Sequence, residues 1–301
     1  MSSKSRCVLL VVHGGRPEAV ATAVTAVTDL RMRGITVCVD AGDNPHQQLT
    51  DAGADIVDSS SSIDCELALV FGGDGTVLRA AEAAHAHQIP LLAFNMGHVG
   101  FLAEAEIEDL AAVLDAIQQQ SYTVESRMAL AVVVERAGSE HWTNWALNEV
   151  NIERGGEPRI LDLGVSIDGE PLTRFGADGI VCASATGSTA YAFSAGGPVV
   201  WPELEAMSLV PVAAHALFAR PLVVAPASTI TIDILSSNSA FVWADGRRGA
   251  PLAFGDRLHI SRSPRDVHFA RIHQVPFTRR LVGKFQLPLN GWREVPPGIK
   301  Q

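Results

Sequence analysis

A cluster of three glycines, one carboxylate and one hydroxyl spans residues 72–76, which read Gly-Gly-Asp-Gly-Thr. The cluster follows the apolar run 67–71 and precedes a helix-like stretch that begins at Val77. Glycine lets backbone N–H groups approach an anion, and the start of a helix favours negative charge. A carboxylate beside bound phosphate must bind Mg²⁺, take a proton or accept a hydrogen bond from a substrate hydroxyl, so Asp74 predicts phosphoryl transfer. The predicted phosphate-binding residues are Gly72, Gly73, Gly75 and Thr76.

The same cluster has a simpler interpretation as an ordinary strand-to-helix turn. Glycine would then supply a positive φ, and Asp74 would cap the helix. Arg79, one helical turn further on, is either the nearest fixed positive charge or a solvated surface residue. Both alternatives remain open from these residues alone.

Composition narrows the class of protein. The chain has 301 residues, 47% hydrophobic content and a formal net charge of −10, which argues against broad nucleic-acid binding. The apolar stretch that ends at His13 is too short for a membrane span or a signal sequence, so we expect a cytoplasmic protein without a membrane partner. The four cysteines lie in apolar runs without a Cys-x-x-Cys pair, and we expect buried, reduced thiols.

In the first third of the chain, short apolar runs alternate with helical periodicity. Predicted strands cover residues 7–12, 35–39, 67–71 and 90–94, and predicted helices cover 17–33, 77–86 and a stretch around 107–117. This alternation predicts a parallel sheet flanked by helices, with ligands beyond the carboxyl ends of the strands. Residues 49–62 lack periodicity and are predicted to be a surface connection.

After about Tyr122, β-branched runs dominate and predict an all-β second half. Asp168-Gly169 and Asp245-Gly246 are typical of two-residue hairpin turns, which supports antiparallel pairing. The tryptophans of this half, Trp243 among them, are expected in a core or subunit contact rather than stacked on bases. The proline-rich tail from Pro276 is expected to be an extended strap.

Three further motifs accompany the glycine loop. They are residues 95–102 (Asn-Met-Gly-His-Val-Gly-Phe-Leu), the pair Asn148-Glu149, and Asp178-Gly179 followed by residues 186–198, which begin Thr-Gly-Ser-Thr-Ala-Tyr. The two glycines of the first motif predict that the backbone there passes close to another group. With the glycine loop, these motifs resemble the NAD kinase family over nearly the whole chain, and the actinobacterial enzymes most closely. Diacylglycerol kinases and phosphofructokinases share only the loop or a variant of it.

The resemblance implies an N-terminal α/β domain (1–122), a β-sandwich-like NAD-binding domain (123–275), a tail (276–301) that returns to the first domain, and an active site between the domains. It implies transfer of a phosphoryl group from ATP, or in some bacterial members polyphosphate, to the 2′-hydroxyl of the adenosine ribose of NAD, giving NADP. Mg²⁺ or a similar divalent ion is required, and family members form homodimers or homotetramers.

By the same resemblance, Asp74 is the catalytic base and the pair Asn148-Glu149 holds the ribose of NAD. A vicinal diol suits this pair, because Glu149 accepts from both hydroxyls while Asn148 donates or accepts. An ionised Glu149 would also repel the 2′-phosphate of the product. Asp178 corresponds to the position that contacts the nicotinamide portion. The further NAD-binding positions are Gly75, Arg79, Arg159, Thr189, Ala190, Tyr191, Ala192, Phe193, Ser194, Asp245 and Arg247.

Local alternatives accompany several of these residues. Asn148-Glu149 alone is an ordinary strand-edge pair, the Thr-Gly-Ser-Thr stretch a helix start with Tyr191 in the core, and Asp178 a turn residue. The family usually has proline where this chain has Ala185, a change that removes no catalytic group. Two other functions remain possible: a non-catalytic NAD- or NADPH-binding regulator, or a kinase for another alcohol.

Overall fold

The computed structural model describes residues 6–43, 47–58, 64–97, 100–103, 105–156, 159–273 and 275–289. The chain divides into two compact units. The first contains the described residues up to Glu125 together with those from Phe269 onward, and the second is Ser126–His268. His98 and Val99 of the second motif, and the tail beyond Leu289, lie outside the described residues.

A largely parallel sheet forms the centre of the first unit. Its order is β3-β2-β1-β4-β5-β20-β7, with β6 also paired to β5. The strands are β1 (Cys7–Val12), β2 (Thr36–Asp40), β3 (Asp55–Val57), β4 (Leu67–Phe71), β5 (Leu91–Asn95), β6 (Ala105–Glu106), β7 (Thr123–Arg127) and the last described strand, β20 (Val267–Arg271). The pairs that join β3, β2, β1, β4 and β5 are all parallel. The predicted parallel sheet is therefore confirmed.

Five described helices belong to the first unit, and all of them except the last have buried residues. They are α1 (Pro17–Met32), α2 (Gln47–Asp51), α3 (Asp74–His85), α4 (Leu110–Gln119) and α6 (Phe277–Phe285), with 3-10 turns at Ala41–Asp43 and Ile107–Asp109. Proline at the first position of α1 needs no hydrogen bond there and is already set to the helical φ. Helix α1 buries Ala23, Val27 and Leu30 with β1 and β4 side chains in one core.

Two antiparallel sheets make up the second unit. One has the order β15-β14-β13-β10-β17-β18 and the other β12-β11-β16-β19-β8-β9. Their strands are β8 (Leu130–Arg136), β9 (Ser139–Ala146), β10 (Glu149–Arg154), β11 (Leu161–Ile167), β12 (Glu170–Ala177), β13 (Gly179–Ser184), β14 (Met207–Val212), β15 (Leu222–Val224), β16 (Ile230–Ile234), β17 (Ala240–Ala244), β18 (Arg248–Leu252) and β19 (Arg257–Arg262). A single core takes side chains from both sheets, so the predicted sandwich is confirmed.

Hairpin turns in this unit use the predicted residues. Asp168 and Gly169, both at positive φ, join the paired residues Ile167 and Glu170 in a two-residue turn. Asp245 (φ 53°) and Gly246 (φ 64°) also have the expected conformation. Their hairpin has three loop residues, because Ala244 pairs with Arg248.

Two predictions of irregular structure are wrong. Part of segment 49–62 is regular, since α2 ends at Asp51 and β3 adds an edge strand to the sheet beside β2. The tail is not an extended strap over Phe277–Phe285, which form α6. Helix α2 and strand β3 are too short for a periodic pattern to mark them. Helix α6 does carry such a pattern, since Phe277, Leu281 and Phe285 recur at helical spacing. None of the described helices is long and apolar enough to cross a membrane.

Candidate active site

The glycine loop joins β4 to α3 at the carboxyl end of β4. Gly73 caps α3 with an extended backbone (φ −87°, ψ −175°), and Asp74 is the first helical residue. A Cβ on Gly72 would overlap the Thr76 side chain, so packing requires glycine there. A Cβ on Gly73 or Gly75 would meet no described atom within 4 Å, which leaves those two positions open to a ligand.

The loop of residues 72–76 lacks the features expected of an ordinary strand-to-helix turn. None of its three glycines is among the residues with positive φ, and the helix cap is Gly73 rather than Asp74. Thr76 is buried, and its N–H donates to the Gly73 carbonyl at 2.8 Å. The amides of Gly73 and Gly75 are therefore better placed for an anion than the Thr76 side chain.

Residues of the second motif hold the Asp74 carboxylate. Its Oδ2 accepts from the N–H of Phe101 and its Oδ1 from the N–H of Leu102, each at 3.1 Å. A Cβ on Gly100 would overlap Asp74 Oδ1, which explains the glycine. A carboxylate has about four lone-pair sites, so two N–H donors fix its direction and leave room for a further proton or hydrogen bond. The prediction that backbone passes close to another group is confirmed at Gly100, where that group is Asp74. A Cβ on Gly97 would meet no described atom within 4 Å, and this glycine instead has a positive φ of 93°.

Two guanidinium groups lie at the same edge of the parallel sheet. Arg79 Nη2 donates to the Val12 carbonyl at 2.6 Å, and Val12 pairs with Phe71 at the last residue of β4. Arg16, which lies outside the sequence motifs, donates from Nη1 to the Met96 carbonyl at 3.1 Å. Their backbone acceptors fix both positive charges near the carboxyl ends of the strands.

In the second unit, Asp245 organises the Asn148-Glu149 pair. The carboxylate is 7% exposed and accepts from the N–H groups of Leu147 at 3.0 Å and Asn148 at 2.7 Å. Arg248 Nη2 donates to it at 2.7 Å, and the same guanidinium lies 4.4 Å from the ring centre of Trp145. Burial raises the pKa of Asp245, while these donors and Arg248 oppose the rise. The Asp245 carboxylate thus binds the backbone at the Asn148-Glu149 pair.

Glu149 is a nearly buried carboxyl group with a free acceptor. It is 8% exposed, and its Oε2 has no hydrogen-bond partner among the described residues. Burial, followed by the charge of Asp245, raises the pKa of Glu149 to about 8, although the Tyr191 N–H donates to it. At pH 7 the group is mostly neutral, so it can donate as well as accept. The repulsion of a 2′-phosphate expected from an ionised Glu149 is then weak at neutral pH.

The Thr186–Thr189 turn lies directly on the Asn148 backbone. A Cβ on Gly187 would overlap the Asn148 carbonyl, and that carbonyl accepts from the Ser184 N–H at 2.9 Å. Ser188 is fully buried and exchanges hydrogen bonds with the Val200 backbone at 2.9 and 3.1 Å. Glycine at 187 therefore serves a close approach within the chain, and Ser188 anchors the turn.

Side chains of the following helix α5 (Tyr191–Ser194) divide between core and surface. Ala192 is fully buried in a small cluster with Val181 and Val210. Tyr191 is 39% exposed, so the alternative that places it in the core is wrong, and Phe193 is exposed to a similar extent. Tyr191 and Phe193 are therefore the exposed aromatic side chains of α5.

A cavity of about 620 Å³ adjoins Tyr191 within the second unit. Its volume is in the usual range for small-molecule sites. Arg154 and Asp178 form an ion pair across 2.8 Å at its wall. Of the residues predicted to bind NAD, Asp178 and Tyr191 line it. The complete lining is Glu153, Arg154, Gly155, Gly156, Asp178, Gly179, Tyr191, Val212, Phe241 and Trp243.

Trp243 lines this cavity and is not a member of the described core, where one expectation placed it, while the expected subunit contact stays a prediction. Its ring lies 6.4 Å from that of Phe241, and its buried Nε1 has no hydrogen-bond partner among the described residues. Val242 and Ala244 point into the sandwich core. Because side chains alternate along a strand, Phe241 and Trp243 must face the other side of the sheet. This alternation could have indicated from the sequence that Phe241 and Trp243 face away from the core. The same holds for Glu153, which pairs with Phe241.

The remaining predicted positions lie on the surface or in the backbone of the turn. Arg159 is exposed and is not part of the cavity lining. Arg247 is exposed in the hairpin turn, whereas the neighbouring Arg248 pairs with Asp245. Thr189 and Ala190 are partly exposed, and Ser194 is exposed.

Comparisons with known proteins agree over both units. Residues 8–122 match the ATP-NAD kinase N-terminal domain, and residues 147–272 match the ATP-NAD kinase C-terminal domain. The fold resembles a yeast NADH kinase crystallised with NADH, with a TM-score of 0.87 and 24% identity over 98% of this chain and 91% of that one. An NAD kinase from Archaeoglobus fulgidus in complex with ATP gives a TM-score of 0.68 and 26% identity, covering 93% and 98% of the two chains.

Sequence relatives cover nearly the whole chain. NAD kinase 2 of Streptomyces avermitilis is 46% identical over 297 residues, which are 98% of this chain and 99% of that protein. The NAD kinase of Mycobacterium tuberculosis is 47% identical over 302 residues, covering 96% and 98%. The chain belongs to the NAD kinase family.

Proposed function

We propose that the protein transfers the terminal phosphoryl group of ATP to the 2′-hydroxyl of the adenosine ribose of NAD, giving NADP. Relatives that are 46–47% identical over nearly the full chain are NAD kinases, which supports this reaction. The similar Archaeoglobus fulgidus enzyme, solved with ATP, supports ATP as the donor.

The structural observation that carries the proposal is the buried Oε2 of Glu149, which has no hydrogen-bond partner among the described residues. A buried acceptor without a donor costs on the order of 1–3 kcal/mol. A ribose diol supplies two O–H donors, and Asn148 beside it donates or accepts. The N–H groups of residues 147 and 148 bind Asp245, so the pair is positioned before a ligand arrives. We assign Asn148 and Glu149 to the ribose.

Asp74 is the proposed base for the attacking hydroxyl. A ribose hydroxyl is a poor nucleophile near neutral pH, and a positioned base contributes roughly 10²–10⁴-fold. The two backbone donors from Phe101 and Leu102 hold the carboxylate in one orientation. The proton leaves the 2′-hydroxyl for Asp74 as the oxygen attacks the phosphorus and the bond to the donor breaks. The amides of Gly73 and Gly75 would stabilise phosphoryl oxygens.

Tyr191 and Asp178 are assigned to the remainder of the dinucleotide. Both line the cavity, where Tyr191 offers an aromatic face and Asp178 accepts hydrogen bonds, for example from a carboxamide. Thr189, Ala190, Phe193 and Ser194 flank the same segment and are proposed as lesser contacts. The exposed Arg159 and Arg247 are retained only as candidates for phosphate contacts.

A divalent cation such as Mg²⁺ is implied by the family. Mg²⁺ keeps several waters and is usually bound together with substrate phosphates rather than by a protein cage. The described residues hold no group of three carboxylate or imidazole ligands, which fits an ion that arrives with the nucleotide. When bound, it would neutralise phosphate charge. Polyphosphate as a second donor, a homodimer or homotetramer, and a cytoplasmic location are further parts of the proposal.

The regulator alternative depended on Ala185. This residue has φ −57° and ψ −39°, so its φ is already the one that proline would impose. The turn keeps its shape without proline, and nothing in it favours loss of turnover.

The test is NADP formation by purified protein given NAD, Mg²⁺ and either ATP or polyphosphate, measured with an NADP-specific dehydrogenase. We expect product with ATP, and the polyphosphate reaction identifies or excludes the second donor. Absence of product in both reactions, with NAD binding measured by calorimetry, would favour the regulator. Absence of both product and NAD binding would contradict the assignment of the dinucleotide site as well.

A further inference from the structure

Three of the four cysteines meet in the first unit. The Sγ atoms of Cys7, Cys38 and Cys65 all lie within 4.8 Å of one another, and those of Cys7 and Cys38 are 3.2 Å apart. Cys38 and Cys65 are 7% and 9% exposed, while Cys7 is half-buried. In the described part of the chain, this is the one cluster of three metal-ligating side chains. The phosphoryl-transfer chemistry described above uses none of them.

The cluster lies far along the sheet from the glycine loop. Cys7 is the first residue of β1 and Cys65 precedes β4, whereas the loop follows the last residue of β4. Cys38 is in the middle of β2, and its neighbours Val37 and Val39 belong to the core formed with α1. Strand alternation therefore places Cys38 on the opposite face of the sheet. A ligand held here would tie together three adjacent strands without touching the loop.

The strand register makes a disulfide between Cys7 and Cys38 unfavourable. Cys7 pairs with Thr36, two residues before Cys38. Strand rise and spacing then put the Cα atoms of Cys7 and Cys38 ~8 Å apart. A disulfide does not bridge Cα atoms more than about 7 Å apart without backbone movement. A metal ion has no such limit, and three sulfurs bound at about 2.3 Å lie about 4 Å from one another. The observed separations are close to that arrangement.

We propose that Cys7, Cys38 and Cys65 form a binding site for one thiophilic d¹⁰ metal ion, Zn²⁺ or Cu(I). Thiolate ligands select such ions over Mg²⁺ or Ca²⁺. Binding forms three metal–sulfur bonds, and the three thiol protons pass to solvent without any change in oxidation state. Zn²⁺ would take a water or small anion as its fourth ligand, and Cu(I) is satisfied by three sulfurs. The half-buried Cys7 provides the route of entry.

An ion pair lies beside the cysteine cluster. The Arg31 guanidinium acts on Cys38, and it pairs with Asp55 at 3.5 Å. The pair carries no net charge, and the geometry of the three sulfur atoms is what favours a bound metal ion.

The test uses full-length protein, reduced and kept anaerobic, and incubated separately with one equivalent of Zn²⁺ or of Cu(I). After desalting, metal per chain is measured by mass spectrometry and affinity by competition with a chromophoric chelator. We expect one ion per chain from at least one of the two metals. Cys7→Ser and Cys38→Ser should each bind more than roughly 100-fold more weakly, since even outer-sphere partners cost 10–100-fold. Cys182→Ala, at the fourth cysteine in the second unit, should match the wild type.

A second measurement on the wild type does not depend on the variants folding. Alkylation in the presence of the bound metal should leave the peptides of Cys7, Cys38 and Cys65 unmodified, and a chelator should restore their reaction. Three results would overturn the proposal: retention of neither metal, equal retention by Cys7→Ser, or a disulfide within the cluster in a non-reducing peptide map of fresh protein.

Discussion

Glu149 shows how burial changes the chemistry of a single residue. Its pKa is raised to about 8 because the carboxyl is buried, with a further contribution from Asp245. The folded state therefore holds the proton at pH values where the unfolded chain has lost it. This group stabilises the fold fully below the pKa of the unfolded chain, near 4.5, and its contribution disappears as pH rises through about 8.

A variant can isolate this pH dependence. Glu149→Gln keeps the shape of the neutral acid and removes the titrating group. Between pH 5 and pH 9, roughly the span of the two pKa values, the free energy of unfolding of this variant should therefore fall less than that of the wild type. The two proteins should differ in this pH response by at most about 5 kcal/mol, because a pKa difference of one unit corresponds to about 1.4 kcal/mol. Urea unfolding at several pH values measures it. Parallel curves for the two proteins would show that Glu149 is ionised in the folded state at neutral pH.

Gly100 is the second residue with a specific consequence. A Cβ there would overlap Asp74 Oδ1, so Gly100→Ala must displace the proposed base. We expect kcat to fall by more than roughly tenfold, because a misplacement of about 1 Å can cost 10²-fold. Gly42→Ala is the matched control, since its Cβ would make an ordinary contact, 3.5 Å from Asp40 Oδ2. If Gly100→Ala and Gly42→Ala had equal kcat values, a side chain at residue 100 would not displace Asp74, which would contradict this prediction.

At the scale of elements, the Thr186–Thr189 turn makes a prediction about stability. Ala185 has a proline-compatible φ of −57°, and it follows the strand residue Ser184, as proline prefers. Ala185→Pro should raise the free energy of unfolding by roughly 0.4–1 kcal/mol by restricting the unfolded chain, with activity unchanged. Denaturant unfolding provides the measurement.

Ala190→Pro serves as the contrasting variant in the same turn. Ala190 has φ −99°, and its N–H donates to Gly187 at 2.9 Å, so proline should destabilise the protein there. If both prolines lowered stability, the backbone around Ala185 would differ from the one described.

Elements with a strong local pattern were predictable from the sequence. The apolar runs of β1 and β4 are examples, because their predicted and observed ends coincide. Helix α3 starts at Asp74, three residues before its predicted start, because Gly73 can cap a helix although its side chain offers no acceptor. The sequence also indicated the motifs that contain Asp74, Asn148 and Tyr191.

At the scale of the whole molecule, prediction fails where distant segments meet. Nothing local indicates that β20 joins the sheet of the first unit, where Phe269 pairs with Leu91 of β5, because segments so far apart in sequence share no local pattern. The same holds for Asp245, whose carboxylate binds the backbone of Leu147 and Asn148 almost 100 residues away. The meeting of Cys7, Cys38 and Cys65 depends on strand order, which periodicity does not encode.

The most direct test of the account compares NADP formation by the wild type and Asp74→Asn, with ATP, Mg²⁺ and varied NAD. Asparagine keeps the shape of the side chain but is not a base. We expect kcat to fall roughly 10²–10⁴-fold while the KM for NAD changes only a few-fold, because Asp74 acts on the transferred proton rather than on dinucleotide binding. An unchanged kcat in the variant would contradict the role of Asp74, and absence of NADP from the wild type would contradict the proposed reaction.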